Sequence, residues 1–589
     1  MTTAAPPAPG GADSHLLSHR QILTILSGLL LGMFLAALDQ TVVATGIRVI
    51  ADNLHGYSLQ AWATTAFLIT STITTPLYGK LSDQYGRKPF FMGAITIFIT
   101  GSALCGLSQS MYELAAFRAI QGLGAGGLFT LALAIIGDLV GPRERARYQG
   151  YFLAVFGTAS VLGPVVGGFL AGQASVLGIT GWRWIFWINV PIGMFALLVV
   201  SRVLQVQHVF HKHRIDWQGA LSLVIALVPL LTVAEQGRSW GWGSGRALAC
   251  YIVGVIGIVL FFLAERACGE DALLPLRMFR NKTFRIGGLS SVVIGMGMFG
   301  GLLMLPQYLQ VVKGASPTTA GLETLPMTIG MMTGSIISGQ TIARTARYKI
   351  FPVVGTALMV VAMVLFHFVS ATTPLWQVMI VMLVMGLGLG GNMQPVILAV
   401  QNAVAPREIG VATSSVTFSR QMGGTLGTAV FLSILFSVLA DHIRHALQAA
   451  AQTGAWKAAA AAHPAQLQLI RSGGSGHALN DTSFIQKLDP VLAAPFKTGF
   501  AQSMDLVFLV AAVIVAVGFI IIWQLPELPL RMESGNAARM AERQKAAADE
   551  GIPATVPPQD AVPASSDDDV MGIPSAVAPD AVAPGSTPR

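Results

Sequence analysis

Three ionisable side chains stand inside otherwise apolar stretches of this sequence. Asp39 follows the run 29–38 and precedes 41–47; Arg118 lies about six residues into another run; Glu323 sits in Ala320-Gly321-Leu322-Glu323-Thr324-Leu325-Pro326. A charge in the hydrocarbon core of a bilayer is costly, and such residues mark ion or substrate pathways. At about 1.5 Å per residue, all three fall at a similar depth, in the outer third of a membrane. An apolar setting favours the neutral carboxyl, and a nearby guanidinium favours the charged one. A carboxylate held between the two can take and release a proton. Asp39 therefore has two readings: a proton carrier, or half of a permanent Asp39–Arg118 ion pair that ties two helices together. Glu323 is either a second carrier or a carboxylate near enough to the surface to be hydrated.

The elements that must hold these groups are long apolar runs. Of 589 residues, 53% are hydrophobic and 11% charged, with a mean hydropathy of +0.64; a soluble domain is about 25% charged. The fold class this implies is an all-α polytopic membrane protein. Runs long enough to cross a bilayer number roughly fourteen. They begin near Gln21, Ala61, Pro89, Glu113, Tyr148, Ile185, Trp217, Ala247, Arg285, Ala320, Ile350, Leu375, Glu408 and Gln502. Lys and Arg alternate sides as the positive-inside rule requires. One set of loops holds Arg87 and Lys88, then Arg143, Arg145 and Arg147, Lys212 and Arg214, Arg277, Arg280, Lys282 and Arg285, Arg344, Arg347 and Lys349, and Arg407. The loops at 53–60, 108–112 and 371–374 hold none. The net charge of +8 is thus a topology and anionic-lipid signal, with no nucleic acid implied. Cys105 and Cys250 lie in apolar runs and Cys268 in a cytoplasmic loop, so no disulfide framework is expected.

Between the second and third runs stands Gly79-Lys80-Leu81-Ser82-Asp83-Gln84-Tyr85-Gly86-Arg87-Lys88-Pro89. The glycines allow a tight turn and Pro89 suits the first turn of a helix. This stretch resembles the loop between helices 2 and 3 of major facilitator superfamily transporters, G-x-L-(S/A)-D-x-x-G-R-K/R. Gly339-Gln340-Thr341-Ile342-Ala343-Arg344-Thr345-Ala346-Arg347 echoes it after the tenth run. Matching loops eight spans apart imply a major facilitator fold with 14 transmembrane helices: two six-helix halves plus two inserted helices. The substrate site would lie near the midplane between the halves.

Further motifs carry the resemblance. Arg118-Ala119-Ile120-Gln121-Gly122-Leu123-Gly124 is similar to the superfamily's R-x-x-Q-G-x-G, whose arginine is implicated in proton coupling. Gly157 with Gly163-Pro164-Val165-Val166-Gly167-Gly168 resembles the motif of its export branch. The proline bends the helix and the glycines admit a close neighbour. Leu38-Asp39-Gln40-Thr41-Val42-Val43 and Gly181-Trp182-Arg183-Trp184-Ile185-Phe186-Trp187-Ile188-Asn189-Val190-Pro191-Ile192-Gly193 resemble signatures of the fourteen-span drug:proton antiporters, the QacA/EmrB-like exporters. So do Tyr308-Leu309-Gln310 and the Gly314, Ser316, Pro317, Gly321, Leu325 and Pro326 that follow. Ala44-Thr45-Gly46-Ile47-Arg48 departs from the branch, and the thirteenth run has no acid inside it, which weighs against dicationic substrates.

The resemblance implies a proton-coupled efflux transporter in the cytoplasmic membrane, with both termini cytoplasmic, exporting hydrophobic, cationic drugs or toxic compounds by alternating access. The alternative is an exporter of a lipid, siderophore or other endogenous metabolite. Proton coupling is expected at Asp39, Arg118 and Glu323, and the cytoplasmic gate at Gly79, Asp83, Gly86, Arg87 and Lys88. The pocket is expected from apolar, aromatic, Met and polar residues: Phe34, Gln121, Tyr308, Met331, Asn392, Met393 and Gln394. Partners would be a small-molecule substrate, protons and membrane lipid. The expected organisation is a disordered leader (1–20), a first half (21–204), linker helices (205–284), a second half (285–532) and a disordered tail (533–589). The second half includes an external loop (441–501), read either as a helical hairpin or as a loose segment, which could meet an extracytoplasmic partner. No phosphate-binding G-x-x-x-x-G-K-S/T loop and no metal-spaced Cys/His cluster appears. Neither an enzyme nor a cofactor is expected, and an ion gradient would supply the energy.

Overall fold

The computed structural model describes residues 19–54, 60–140, 142–204, 216–269, 272, 274–468, 470 and 483–530. The chain divides into two units, Met1–Arg539 and Met540–Arg589, and the fold set out here belongs to the first. Residues 1–18 of the expected leader, Lys212 and Arg214, the Gly/Ser break at 472–476 and the tail from 531 lie outside the described residues.

The long helices are α1 (His19–Asn53), α2 (Gln60–Tyr85), α3 (Arg87–Leu107), α4 (Met111–Leu139), α5 (Pro142–Gly172), α6 (Asn189–Val203), α7 (Trp217–Trp240), α8 (Gly245–Cys268), α9 (Lys282–Gln307), α10 (Leu325–Thr345), α11 (Ile350–His367), α12 (Leu375–Ala403), α13 (Ile409–Ala451) and α14 (Pro490–Trp523). Their starts follow local chemistry. The side chains of Ser110, Asp216, Ser244, Asn281 and Asp489 each accept a hydrogen bond from a backbone N–H in the first turn of the next helix, satisfying donors that a helix N-terminus leaves open. The cap at Asp489 and Pro490 just after it begin α14 well before Gln502. At the other side of that loop, the Ala-rich end of α13 carries its helix to Ala451. A short helix Gly454–Ala462 follows.

Two spans start with a break. Ahead of α6 run a turn at Gly181–Arg183 and a short helix Trp184–Trp187. Ahead of α10 runs Pro317–Glu323, which places Glu323 at a helix end and not within a continuous span. Between α2 and α3 the backbone turns at Gly86, whose φ of 105° lies where a side chain would be strained. Its N–H still bonds to Ser82 O at 3.1 Å. A two-residue hairpin pairs β1 (Ser175–Val176) with β2 (Ile179–Thr180), turned by Leu177 and Gly178 at positive φ.

The two halves repeat one packing arrangement. In the first, α4 nests against α2 and α3, because Gly122, Gly124 and Gly126 put its backbone against Phe67, Ala94 and Ser71. In the second, α12 nests against α10 through Gly386 and Gly390, which meet Met327 and Met331 backbone. Small residues permit such approach in lipid, where dispersion and packing drive association. One core cluster joins Phe91, Phe98, Leu128 and Ile135 with Ile397, Val400 and Val411; another gathers Met359, Phe366, Met385 and Phe508. α7 docks on α2 through Leu223, Leu227 and Leu231 against Ile69 and Ile73. On α8, Leu248, Ile252, Val255, Val259 and Leu263 are exposed, as in a helix turned to lipid.

Among the described residues, 11 helices are long and apolar enough to cross a membrane by length and composition. α2 and α10 are not among them, and of α7 only the stretch Trp217–Val233 is apolar. The reason is visible in α2, where Ser71, Thr72, Thr74 and Thr75 are all buried. Polar groups turned into a bundle lower hydropathy without meeting lipid.

Candidate functional site

The site is built around Asp39, wholly buried on α1. Its Oδ2 accepts from Arg118 Nη1 of α4 at 2.5 Å. Its Oδ1 accepts from Gln121 Nε2 at 2.9 Å and from Asn189 Nδ2, at the start of α6, at 2.8 Å. Arg118 Nη1 also donates to Gln121 Oε1 at 2.7 Å, and its Nε to Ala63 O at 3.3 Å. The guanidinium lies 4.1 Å from the Phe67 ring centroid, a favourable cation–π position. Ser102 on α3 closes the ring: its hydroxyl accepts from Gln121 and Asn189 at 3.1 and 3.0 Å and donates to Phe186 O at 2.9 Å. Four helices thus meet at one carboxylate. Arg118 and Gln121, one turn apart on α4, reach it together because residues three apart share a helix face.

A second charged cluster lies at the turn between α2 and α3. Arg87 donates to Asp83, to Asp138 Oδ2 at 2.7 Å and to Ser82 Oγ at 2.5 Å. Asp83 Oδ2 in turn accepts from the backbone N–H of Val411 at 3.0 Å, so the turn is bonded to the start of α13 in the other half. Gly79 makes this approach possible, since any Cβ there would strike Ser414 and the Gly410 carbonyl. Lys88 Nζ donates to Ser201 O at 2.7 Å, and Thr75 Oγ1 to Gln421 Oε1 at 3.2 Å. Gln401 of α12 donates to Thr413 Oγ1 at 2.6 Å. At this end of the bundle, hydrogen bonds tie α2 to α13.

On α5, a Cβ at Gly163 would meet Thr41, and one at Gly167 the Val42 backbone, both on α1. Gly157 faces Thr328 and Met332 of α10, and Pro164 packs over Gly321; Gly168 is part-buried. Glu323 Oε2 is buried with no hydrogen-bond partner.

The expected pocket residues do not form one surface. Gln121 is bonded into the Asp39 cluster. Asn392 is wholly buried: its Oδ1 accepts from Thr356 at 2.9 Å and its Nδ2 donates to Gly388 O at 2.8 Å. Tyr308 is buried with its hydroxyl donating to Ser370 O at 2.8 Å, and Met331 is buried against α12. Phe34 and Met393 are half-buried, and Gln394 is buried with its Oε1 unpartnered. Sequence reading missed four participants. Asn189 was visible only as part of a motif, and Asp138 as the end of a run. Arg420 on α13 and Asp505 on α14 stand inside apolar helices, and the rule that singled out Asp39 applies to both.

The model of the Major Facilitator Superfamily matches residues 29–428 of this chain. The chain belongs to the major facilitator superfamily. It is therefore a multi-pass membrane transporter of small molecules and not an enzyme. Among curated members, it is 32% identical to the multidrug transporter protein MdtP of Bacillus subtilis over 541 residues, covering 89% of this chain and 96% of that one. It is 36% identical to the uncharacterized MFS-type transporter Rv1877 of Mycobacterium tuberculosis over 534 residues, 90% of this chain and 74% of the other. Solved structures of superfamily members agree on the fold. The human organic anion transporter MFSD10 superposes with a TM-score of 0.54 at 15% identity, over 85% of this chain and 99% of that one. The proton:xylose symporter XylE superposes with 0.54 at 15%, over 88% and 99%.

Proposed function

We propose that this protein exports hydrophobic drugs or other toxic compounds across the cytoplasmic membrane in exchange for protons. The observation that carries the reading is the Asp39 cluster, a carboxylate sealed from water and held by Arg118, Gln121 and Asn189. With Asp39 charged, the pair with Arg118 is neutral. Proton uptake would leave the guanidinium uncompensated and remove acceptor capacity from three donors. Both changes favour a rearrangement of α1, α4 and α6, so proton binding and helix movement are one event. Glu323, with an oxygen buried and unpartnered, is proposed as a second proton site. Similarity to the B. subtilis protein named as a multidrug transporter supports drugs as cargo.

All of α1–α14 are proposed to span the membrane, with α1–α6 and α9–α14 as the halves and α7–α8 inserted. The Asp83 end would face the cytoplasm, and both termini with it. Asp83, Arg87 and Lys88, with Gly79 and Gly86, would brace a gate that closes as the opposite side opens. Gly157 against Thr328 and Met332, and Pro164 over Gly321, would hold α5 to the other half against proton leak between cycles. The apolar flank of α8 is proposed to meet lipid, and the segment 441–501 an extracytoplasmic partner.

The test is transport in proteoliposomes under an imposed pH gradient, with a fluorescent lipophilic dye. The expected result is gradient-driven flux in the wild type that is lost in Asp39→Asn while dye binding persists. Equal flux with and without a gradient would overturn proton coupling.

A further inference from the structure

Arg420 stands 11 residues into α13, about 16 Å along the helix from its start, near the middle of a bilayer core about 30 Å thick. It is one of few intramembrane charges, and its setting is unlike that of Arg118 or Arg87. Arg118 and Arg87 are each locked to carboxylates. Arg420 has no hydrogen bond, ion pair or ring contact with any described residue. It does not face lipid. Helical periodicity gives it the azimuth of Thr413, Gly427 and Phe431. Those residues contact Gln401, Met296 and Gly300, all within the protein. The residue is half-buried, and a guanidinium without a partner at this depth calls for an anionic one.

A second polar group stands opposite. Gln401 and Thr413 are hydrogen-bonded where α12 runs into α13. Seven residues, about 10 Å, back along α12 is Gln394; seven residues on along α13 is Arg420, each returning to nearly the same face. The two side chains therefore stand at matching heights on α12 and α13, counted from the Gln401–Thr413 bond. Gln394 is 6% exposed and its Oε1 has no partner. Buried polar groups normally find partners within the protein, and neither of these does.

We infer that Arg420, assisted by Gln394, is the substrate-recognition point of the central passage, and that it takes an anionic oxygen group: the carboxylate or phenolate of an amphipathic organic acid or zwitterion. The guanidinium is a planar fork matched to a carboxylate, and the unpartnered Gln394 Oε1 can accept from a hydroxyl or ammonium group of the same ligand. A fixed cation here repels the cationic cargo that the sequence resemblance implied. The inference rests on the export reading but names its cargo by charge.

The experiment uses one chromophore in two charge states, rhodamine B with its free carboxylate and rhodamine B ethyl ester. Binding to the purified full-length protein is measured by equilibrium dialysis for wild type, Arg420→Gln, Arg420→Lys and Gln394→Leu. The expected result is that the wild type prefers the acid. Arg420→Gln should weaken the acid roughly 10- to 100-fold, the scale of a lost charge-assisted hydrogen bond, while the cationic ester binds no less tightly than before; Arg420→Lys should fall between, and Gln394→Leu should show a smaller loss. A wild type that binds the ester as well as the acid, or neither, overturns the inference. So does a parallel loss of both dyes in Arg420→Gln and Arg420→Lys, which would mark a structural residue. Flux in proteoliposomes separates the two readings. Selective acid binding without gradient-driven flux defeats the export reading alone; flux without charge preference defeats only the Arg420 assignment.

Discussion

Asn189 Nδ2 donates to Asp39 Oδ1 at 2.8 Å across 150 residues of sequence. The same amide donates to Ser102, while its own Oδ1 is buried without a partner. Replacing Asn189 by Ala removes one of three donors from Asp39, and a hydrogen bond to a charged group contributes about 1.5–3 kcal/mol. The detergent melting temperature should fall and gradient-driven dye efflux should slow in Asn189→Ala. Melting curves and efflux rates would test this; wild-type values of both would mean that Asn189 only packs.

At the other end of the bundle, Asp83 bonds both to Arg87 and to the Val411 N–H. Arg87 retains Asp138 if Asp83 is lost, so Asp83→Ala leaves no isolated buried cation. What it removes is the hydrogen bond from the turn to the start of α13. The expected outcome is a kcat reduced by roughly tenfold, the equivalent of about 1.4 kcal/mol in the barrier, with KM changed less than twofold. Weakened substrate binding at full turnover would show that the residue does not act at a gate.

Much of this was legible in the sequence because a bilayer makes charge placement expensive. Asp39 and Arg118, alone in apolar runs, stood out and indeed meet. The Gly79–Pro89 turn could be read because its charges sit between two long runs. The bonds that cross between elements were not legible. Nothing local to Val411 announces that its amide meets Asp83, and Asn189 joins Asp39 only because the break after Trp187 aims the first turn of α6 inward. Asn392, a polar residue at depth, looked like part of a pocket, but it satisfies itself against Thr356 and Gly388 and turns toward α11. Arg420 was overlooked because the thirteenth run was searched for acids alone.

The contact of α5 with α1 makes a prediction about space. A Cβ at Gly167 would meet the carbonyl and Cα of Val42, which are backbone atoms and cannot rotate away. Inserting volume into a packed contact costs about 1–3 kcal/mol. Gly167→Val should therefore lower the detergent melting temperature and slow efflux, whereas substitution at Gly172, where nothing lies within 4 Å, should leave both unchanged. If the two variants melted alike, the close approach would not matter for stability.

Tyr348, in the loop between α10 and α11, fastens the segment after α14. Its hydroxyl donates to Pro526 O at 2.9 Å and accepts from the Leu528 N–H at 2.8 Å, and the residue is wholly buried. Tyr348→Phe leaves a donor and an acceptor without partners, at a cost of about 1–3 kcal/mol. Burial pushes the phenol above its ordinary value; the Leu528 amide pulls against it, and the Glu527 carboxylate adds a smaller upward push. A folded pKa above the unfolded value of about 10 means that the neutral hydroxyl's contribution is fully present below that pH and is lost as pH rises through the folded value. Wild type and Tyr348→Phe should therefore differ by a constant margin in thermal unfolding between about pH 6 and 9, and converge above about pH 10. Equal melting of the two proteins between about pH 6 and 9 would mean that the hydroxyl bonds contribute nothing and that only the ring holds the segment in place.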